Sequence, residues 1–133
     1  MKKLLLSANF ILLATFSFCQ SQSQMNENNG KNFQKADQEL NTIYRKILKE
    51  YSKNTAFINN LKTAQKIWIQ LREADLAAKF PDIQHIDYGS VLPMCMSQYK
   101  TELTEERIKR LKTWAEGIEE GDVCSGSVKT KSN

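Results

Sequence analysis

Apolar positions recur every three or four residues along most of this chain. From Phe33 the series Phe33, Ala36, Leu40, Ile43, Tyr44, Ile47, Leu48 and Tyr51 keeps one face of an α-helix apolar. Asn54 and Thr55 interrupt the series, and a side chain of this kind caps the start of a second helix. The rhythm resumes with Phe57, Ile58, Leu61, Ala64, Ile67, Trp68, Leu71, Ala74 and Ala78. Pro81 predicts an end at Phe80, because proline lacks the amide hydrogen and turns its predecessor away from helical angles. Residues 81–89, with Pro81, Asp82, Asp87 and Gly89, read as a connection. Ser90 then has the chemistry of an N-cap, with Pro93 in the first turn. Val91, Leu92, Met94, Cys95, Tyr99, Leu103, Ile108, Leu111, Trp114 and Ile118 supply a third face, looser between Tyr99 and Ile108. Thr104 offers a further cap there, so one helix and a broken pair both fit. The pattern predicts an all-α fold, a small antiparallel bundle of three to four helices, with no strand and no internal repeat.

The first nineteen residues are patterned differently. Lys2 and Lys3 precede an apolar run, Leu4–Phe18, interrupted only by Ser7, Asn9, Thr15 and Ser17, which is the order of a signal peptide. The run is shorter than the roughly 20 apolar residues of a membrane span. Ser17-Phe18-Cys19 places small residues at both ends of a cleavage site, predicting a mature chain from Gln20 that is periplasmic or secreted. The alternative is a lipoprotein anchored through Cys19, the only route by which a membrane becomes a partner; Phe18, bulky where a lipidation site has a small residue, favours simple cleavage. The expected organisation is a signal peptide at 1–19, a flexible segment at 20–30, the helical domain at 31–124 and a disordered tail at 125–133.

Charge narrows the partners. The net charge of +4 falls to +2 once the leader is removed, because the leader carries Lys2 and Lys3 and no acid. That balance is no nucleic-acid footprint, and Arg107, Lys109, Arg110 and Lys112 are interleaved with acids as on a solvated helix face. No catalytic residue, metal site or cofactor is predicted. His85 is the only histidine and reads as a loop residue near Asp82 and Asp87. Glu102, Glu105 and Glu106 suit the start of a helical segment, where its dipole favours acids. Glu116, Glu119, Glu120 and Asp122 sit where the dipole disfavours them, so solvation or a partner surface explains them. Cys95 and Cys124 would lie beyond disulfide reach if the third helix were continuous, since each residue adds about 1.5 Å; a break near Leu103, or a tail folding back, would let them pair.

Polar residues near the apolar faces carry more information. Asp37 and Asn41 stand four apart on the first helix, and Gln65, Trp68 and Arg72 share the second. Trp68 and Arg72, also four apart, allow a guanidinium to lie on an indole while its fork faces a carboxylate, for which Asp37 is the proposed partner. The first expectation is a buried polar network of Asp37, Asn41, Gln65, Trp68 and Arg72 that fixes helix register. The second is a recognition surface, with candidate binding residues Trp68, Arg72, Glu116, Glu119, Glu120 and Asp122.

Five segments in order, "QMN" at 24–26, "ADQELNTIY" at 36–44, "LKTAQKIWIQLREAD" at 61–75, "YGSVLPM" at 88–94 and "ELTEERIKRL" at 102–111, resemble the LprI-like lysozyme-inhibitor family of bacterial envelope proteins. The resemblance covers nearly the whole mature domain. Relatives often carry cysteines where this chain has Leu76 and Tyr99, which implies that an apolar pair replaces a family disulfide and that the two side chains approach each other. Asn28 likewise stands at a family cysteine position. The resemblance implies a non-catalytic exported protein that inhibits lysozyme, a peptidoglycan muramidase, by protein–protein binding. The alternative is an envelope scaffold or adaptor that binds another secreted envelope protein or a cell-wall component. An unrecognised enzyme would need a pocket with convergent carboxylates beside His85.

Overall fold

The structure is a computed structural model that describes residues 2–131, with side chains from residue 21 onward. The proposed leader at 1–19 and Cys19 therefore lie outside the residues whose side chains are described. Three helices follow one another: α1 (Lys2–Glu50), α2 (Thr55–Lys79) and α3 (Leu92–Glu116). The bundle runs up, down and up. α2 is antiparallel to α3, as the pairs Gln65–Arg107 and Arg72–Thr104 require. α3 is parallel to α1, as Glu39–Lys112 and Lys46–Ala115 require. Among the described residues the only extended pairing is an isolated bridge between Ile118 and Thr130.

The helix boundaries follow local chemistry. The Asn54 side chain accepts a hydrogen bond from Phe57 N at 3.1 Å and caps α2. α2 stops at Lys79, with Phe80 as its C-cap and Pro81 next. α3 begins differently from the sequence expectation. Its N-cap is Val91, without a side-chain cap, and Pro93 occupies the first turn. Ser90 instead accepts a hydrogen bond on its backbone oxygen from Asn26 Nδ2 at 3.3 Å, tying the end of the 81–91 connection to α1. α3 is unbroken at Leu103, because Thr104 turns its hydroxyl back onto Lys100 O at 2.7 Å rather than capping a new helix.

The core is the seam between α1 and α3, closed by one residue of α2. Ala36, Leu40 and Ile47 meet Ile108, Leu111 and Ala115, with Leu61 from α2. Ile47 and Leu111 are completely buried, and each burial contributes about 1.5–3 kcal/mol. At one end Tyr51, Phe57 and Trp114 stack, with ring centroids 4.7 and 6.1 Å apart. Lys46 Nζ and the Tyr51 hydroxyl donate to the last α3 carbonyls, Ala115 O at 3.0 Å and Trp114 O at 3.1 Å, which no helical amide can reach.

Three expectations need correction. On α2 the buried row is Leu61, Gln65, Arg72 and Leu76, whereas Ala64, Ile67, Leu71, Ala74 and Ala78, read as core from their spacing, are exposed. The α1–α3 seam already holds the apolar mass, and α2 closes over it with its mixed face. Residues 20–30 are not a flexible segment: they continue α1, held by pairs four apart such as Lys31–Glu27 and Asn29 Nδ2 to Met25 O. Nor does order stop at Cys124. Gly117 adopts φ 82°, the chain reverses, and residues 118–131 return over the Tyr51–Trp114 end. Ile118 N donates to Lys129 O at 3.0 Å and Lys131 N to Ile118 O at 2.9 Å, while Lys129 N reaches the Tyr51 hydroxyl at 3.0 Å. The Trp114 indole donates to Ser127 Oγ at 3.0 Å. A composition of Ser, Thr, Lys and Gly suggested disorder, but these backbone bonds define a clasp.

Candidate functional site

The polar residues of α1 and α2 do come together. Arg72, 9% exposed, extends between the Trp68 and Phe33 rings, 5.0 and 5.3 Å from their centroids. Its Nη1 donates to Asp37 Oδ1 and to Thr104 Oγ1, each at 3.2 Å, so one guanidinium joins all three helices. Nε donates to the adjacent Glu73 at 3.1 Å, and Lys100 of α3 pairs with the same carboxylate at 3.2 Å. Asn41 braces Asp37 by donating to its Oδ2 at 3.1 Å. Gln65 does not touch Arg72; its oxygen accepts from Arg107 Nε at 3.0 Å. Burial lowers the pKa of the Arg107 guanidinium, and the like charge of Arg110 lowers it further. Sequence reasoning missed Thr104, Phe33, Lys100 and Arg107 as members. A threonine that bonds back into its own helix leaves no signal in the apolar pattern.

Arg72 is buried, with Nη1 and Nε engaged by Asp37, Thr104 and Glu73, and Trp68 lies beneath Arg72 and Arg107. A cavity of about 290 Å³ opens beside it, between Leu71 and Asp75 of α2 and Leu103 and Arg110 of α3. Leu76 is buried on the α2 face that meets α3, and one turn on, Lys79 Nζ sits 3.7 Å from the Tyr99 ring centroid. Lys79 thus brings the end of α2 against Tyr99 of α3, in the turn that follows Leu76. Cys95 and Cys124 are both free thiols, Cys95 in the first turn of an unbroken α3 and Cys124 in the segment beyond its end at Glu116.

The surface feature with the most distinctive make-up is the connection from Pro81 to Val91. It contains Asp82 and Asp87 and no lysine or arginine. Ile83 and Ile86 project from it, 43% and 46% exposed. Its backbone is braced from within: His85 N and Ile86 N both donate to Asp82 O at 2.9 Å, Gly89 N to Asp87 Oδ1 at 2.8 Å and the Tyr88 hydroxyl to Pro81 O at 2.7 Å. Tyr88 also meets Phe80 edge-on, with centroids 6.0 Å apart. The exposed His85 ring pairs with Asp82. Asp82 takes φ 56° to permit the turn, a region in which Asp and Asn are enriched.

The other acidic end is also exposed. Glu116, Glu119, Glu120 and Asp122 are exposed, and Val123, next in sequence to Asp122, protrudes almost completely from the clasp. Lys131 pairs with Glu119 at 2.6 Å and so neutralises part of it. Among the described residues no group of three or more His, Cys, Asp or Glu side chains is placed to hold a metal ion. Nor is any helix of the described residues long and apolar enough to cross a membrane.

Comparison with known proteins gives one match. A family model described as lysozyme inhibitor LprI matches residues 18–111. No curated protein and no solved structure matches the chain. The matched span takes in the Arg72 network and the 81–91 connection, and ends before the Glu116–Asp122 cluster.

Proposed function

The chain belongs to the LprI lysozyme-inhibitor family, and from that premise we propose that it is an exported, non-catalytic protein that inhibits lysozyme by binding it through the 81–91 connection. The observation that carries the reading is that this connection, inside the matched span, joins exposed apolar side chains to two aspartates, one of them paired with His85, with no lysine or arginine among its own residues. Animal lysozymes are cationic, and complementary charge speeds encounter and selects partners. Ile83 and Ile86 supply the apolar anchors that a small contact needs. The bracing bonds from Pro81 to Gly89 matter as much. A loop that is already ordered avoids the cost of about 0.5–1.5 kcal/mol for each side chain fixed on binding.

The Arg72 network supports this role indirectly, by fixing the register of the helices whose ends hold the loop. The leader at 1–19 supports export, with Gln20 as the mature N-terminus and a lipid anchor at Cys19 as the alternative. In this setting lysozyme meets the protein in the periplasm or outside the cell.

The test is a cell-wall turbidity assay with the chain from Gln20, titrated against c-type, g-type and i-type lysozymes. Saturable inhibition near stoichiometric concentration supports the reading. Replacing both Ile83 and Ile86 by alanine is then expected to weaken inhibition by at least about tenfold, equivalent to about 1.4 kcal/mol. Glu119→Lys with Glu120→Lys should leave it unchanged. Loss of inhibition in the glutamate variant alone would move the contact to the clasp. No inhibition of any class by folded protein would transfer the weight to an envelope scaffold or adaptor.

A further inference from the structure

The face of α2 that points away from the bundle is unusual for a solvated helix. Ala64, Ile67, Leu71, Ala74 and Ala78 follow one another at spacings of three and four and are all exposed, Ile67 and Leu71 by more than half. Thr63, Gln70 and Ala77 flank them along one side. At about 100° of rotation per residue, these positions fill one sector of the helix, and Lys62, Lys66, Arg72, Glu73, Asp75 and Lys79 all fall outside it. A helix that carries six charges thus keeps a continuous uncharged face about 21 Å long between Ala64 and Ala78, at 1.5 Å per residue.

We propose that this face is the interface of a symmetric, antiparallel dimer of the chain. The stretch of the strip from Ala64 to Ala74 is self-complementary about the level of Ile69, its midpoint. Ile67 and Leu71 are equidistant from that point, as are Ala64 and Ala74. A two-fold axis across α2 at this level therefore sets each Ile67 against Leu71 of the partner subunit, with alanines on either side that let the helices approach closely.

The bordering groove adds a second, independent observation. Its α2 wall carries Asp75 and its α3 wall Arg110. The pairs Gln65–Arg107 and Arg72–Thr104 fix the antiparallel register of the walls. That register puts Arg110 near the level of Ala64, below the midpoint, and leaves Asp75 about as far above it. The same two-fold rotation brings each Asp75 to the level of the partner's Arg110. Within one copy, Arg110 sits near the like charge of Arg107 and shares the groove with Glu106. An uncharged strip offers nothing by which a strongly charged partner would be selected. Opposite charges at equal distances from its centre favour a second copy.

Sedimentation equilibrium of the chain from Gln20 tests this, with reductant present so that Cys95 and Cys124 cannot cross-link copies. Loading concentrations from about 1 to about 300 µM bracket the affinity of a modest interface. The expected result is a reversible monomer–dimer transition that Leu71→Glu abolishes while the far-ultraviolet circular dichroism is unchanged. Asp75→Arg and Arg110→Asp should each weaken dimerisation several-fold, and the two together should restore it. A monomer throughout the range, or a Leu71→Glu variant that still dimerises, overturns the proposal. Failure of the paired charge reversal to restore association overturns the antiparallel arrangement on which it rests.

Discussion

Replacing Arg72 is the most direct way to ask whether a polar contact, rather than apolar area, secures α2 to the bundle. Arg72→Ala removes the donors to Asp37 and Thr104 and empties the space between Trp68 and Phe33. A hydrogen bond to a charged group is worth about 1.5–3 kcal/mol. The Asp37 bond belongs at the low end, because that carboxylate is 38% exposed and water can replace the guanidinium. Thr104 is fully buried, and its hydroxyl loses a donor while keeping its own bond to Lys100 O. The two ring contacts add about 0.5–1 kcal/mol each. Together these give a loss of about 4–6 kcal/mol, a large share of the roughly 5–15 kcal/mol that stabilises a domain. Arg72→Met keeps an unbranched apolar stem between the rings and should cost less, about 1–2 kcal/mol. Urea unfolding monitored by tryptophan fluorescence and by circular dichroism gives both numbers. An Arg72→Ala variant within about 1 kcal/mol of the parent would refute the reasoning, because the network would then be worth no more than a surface ion pair.

The clasp yields two further predictions. A Cβ on Gly117 would meet Lys129 O at 2.8 Å at a φ of 82°, so Gly117→Ala should cost about 1–3 kcal/mol and accelerate hydrogen exchange at the amides of Ile118 and Lys131. The hydrogen bond from Lys129 holds the Glu50 carboxyl below its ordinary value of 4.5. A carboxyl with a depressed folded pKa adds stability that is present above the unfolded value and lost as pH falls through the folded one. The clasp should therefore be closed at neutral pH and loosen only below about pH 4.5, a change seen in Trp114 fluorescence and absent in Lys129→Met.

Much of the fold was legible because its signals are local. Pro81 and Asn54 mark the ends of α2 through chemistry that acts within a few residues, and the Trp68–Arg72 spacing announced the network. What was not legible depends on the third dimension. α2 has two candidate inner faces, and hydrophobicity alone selects Ala64, Ile67 and Leu71. The bundle buries Gln65 and Arg72 instead, because Arg107, Asp37 and Thr104, distant in sequence, satisfy them there. Tail order was hidden for the same reason: Lys129 finds Tyr51 and Glu50 only after the helices have packed. The exposed isoleucines of the 81–91 connection could have been noticed in the sequence, since they sit in a loop with no apolar periodicity.

The pairing of the first helix with the last, rather than with its neighbour, has a consequence for when the protein can exist at all. α3 packs chiefly on α1, and Lys46 and Ala115, which meet at the end of that seam, are 69 residues apart in sequence. Closing so long a loop is slow relative to forming local contacts. During synthesis, Leu40 and Ile47 have only Leu61 and the half-buried residues of α2 to meet until Ile108 and Leu111 have left the ribosome. For most of its elongation the nascent chain is thus a set of transient helices without a core, the loose form in which a polypeptide can still be threaded through a narrow channel, and it becomes a compact object only when nearly all of it has emerged.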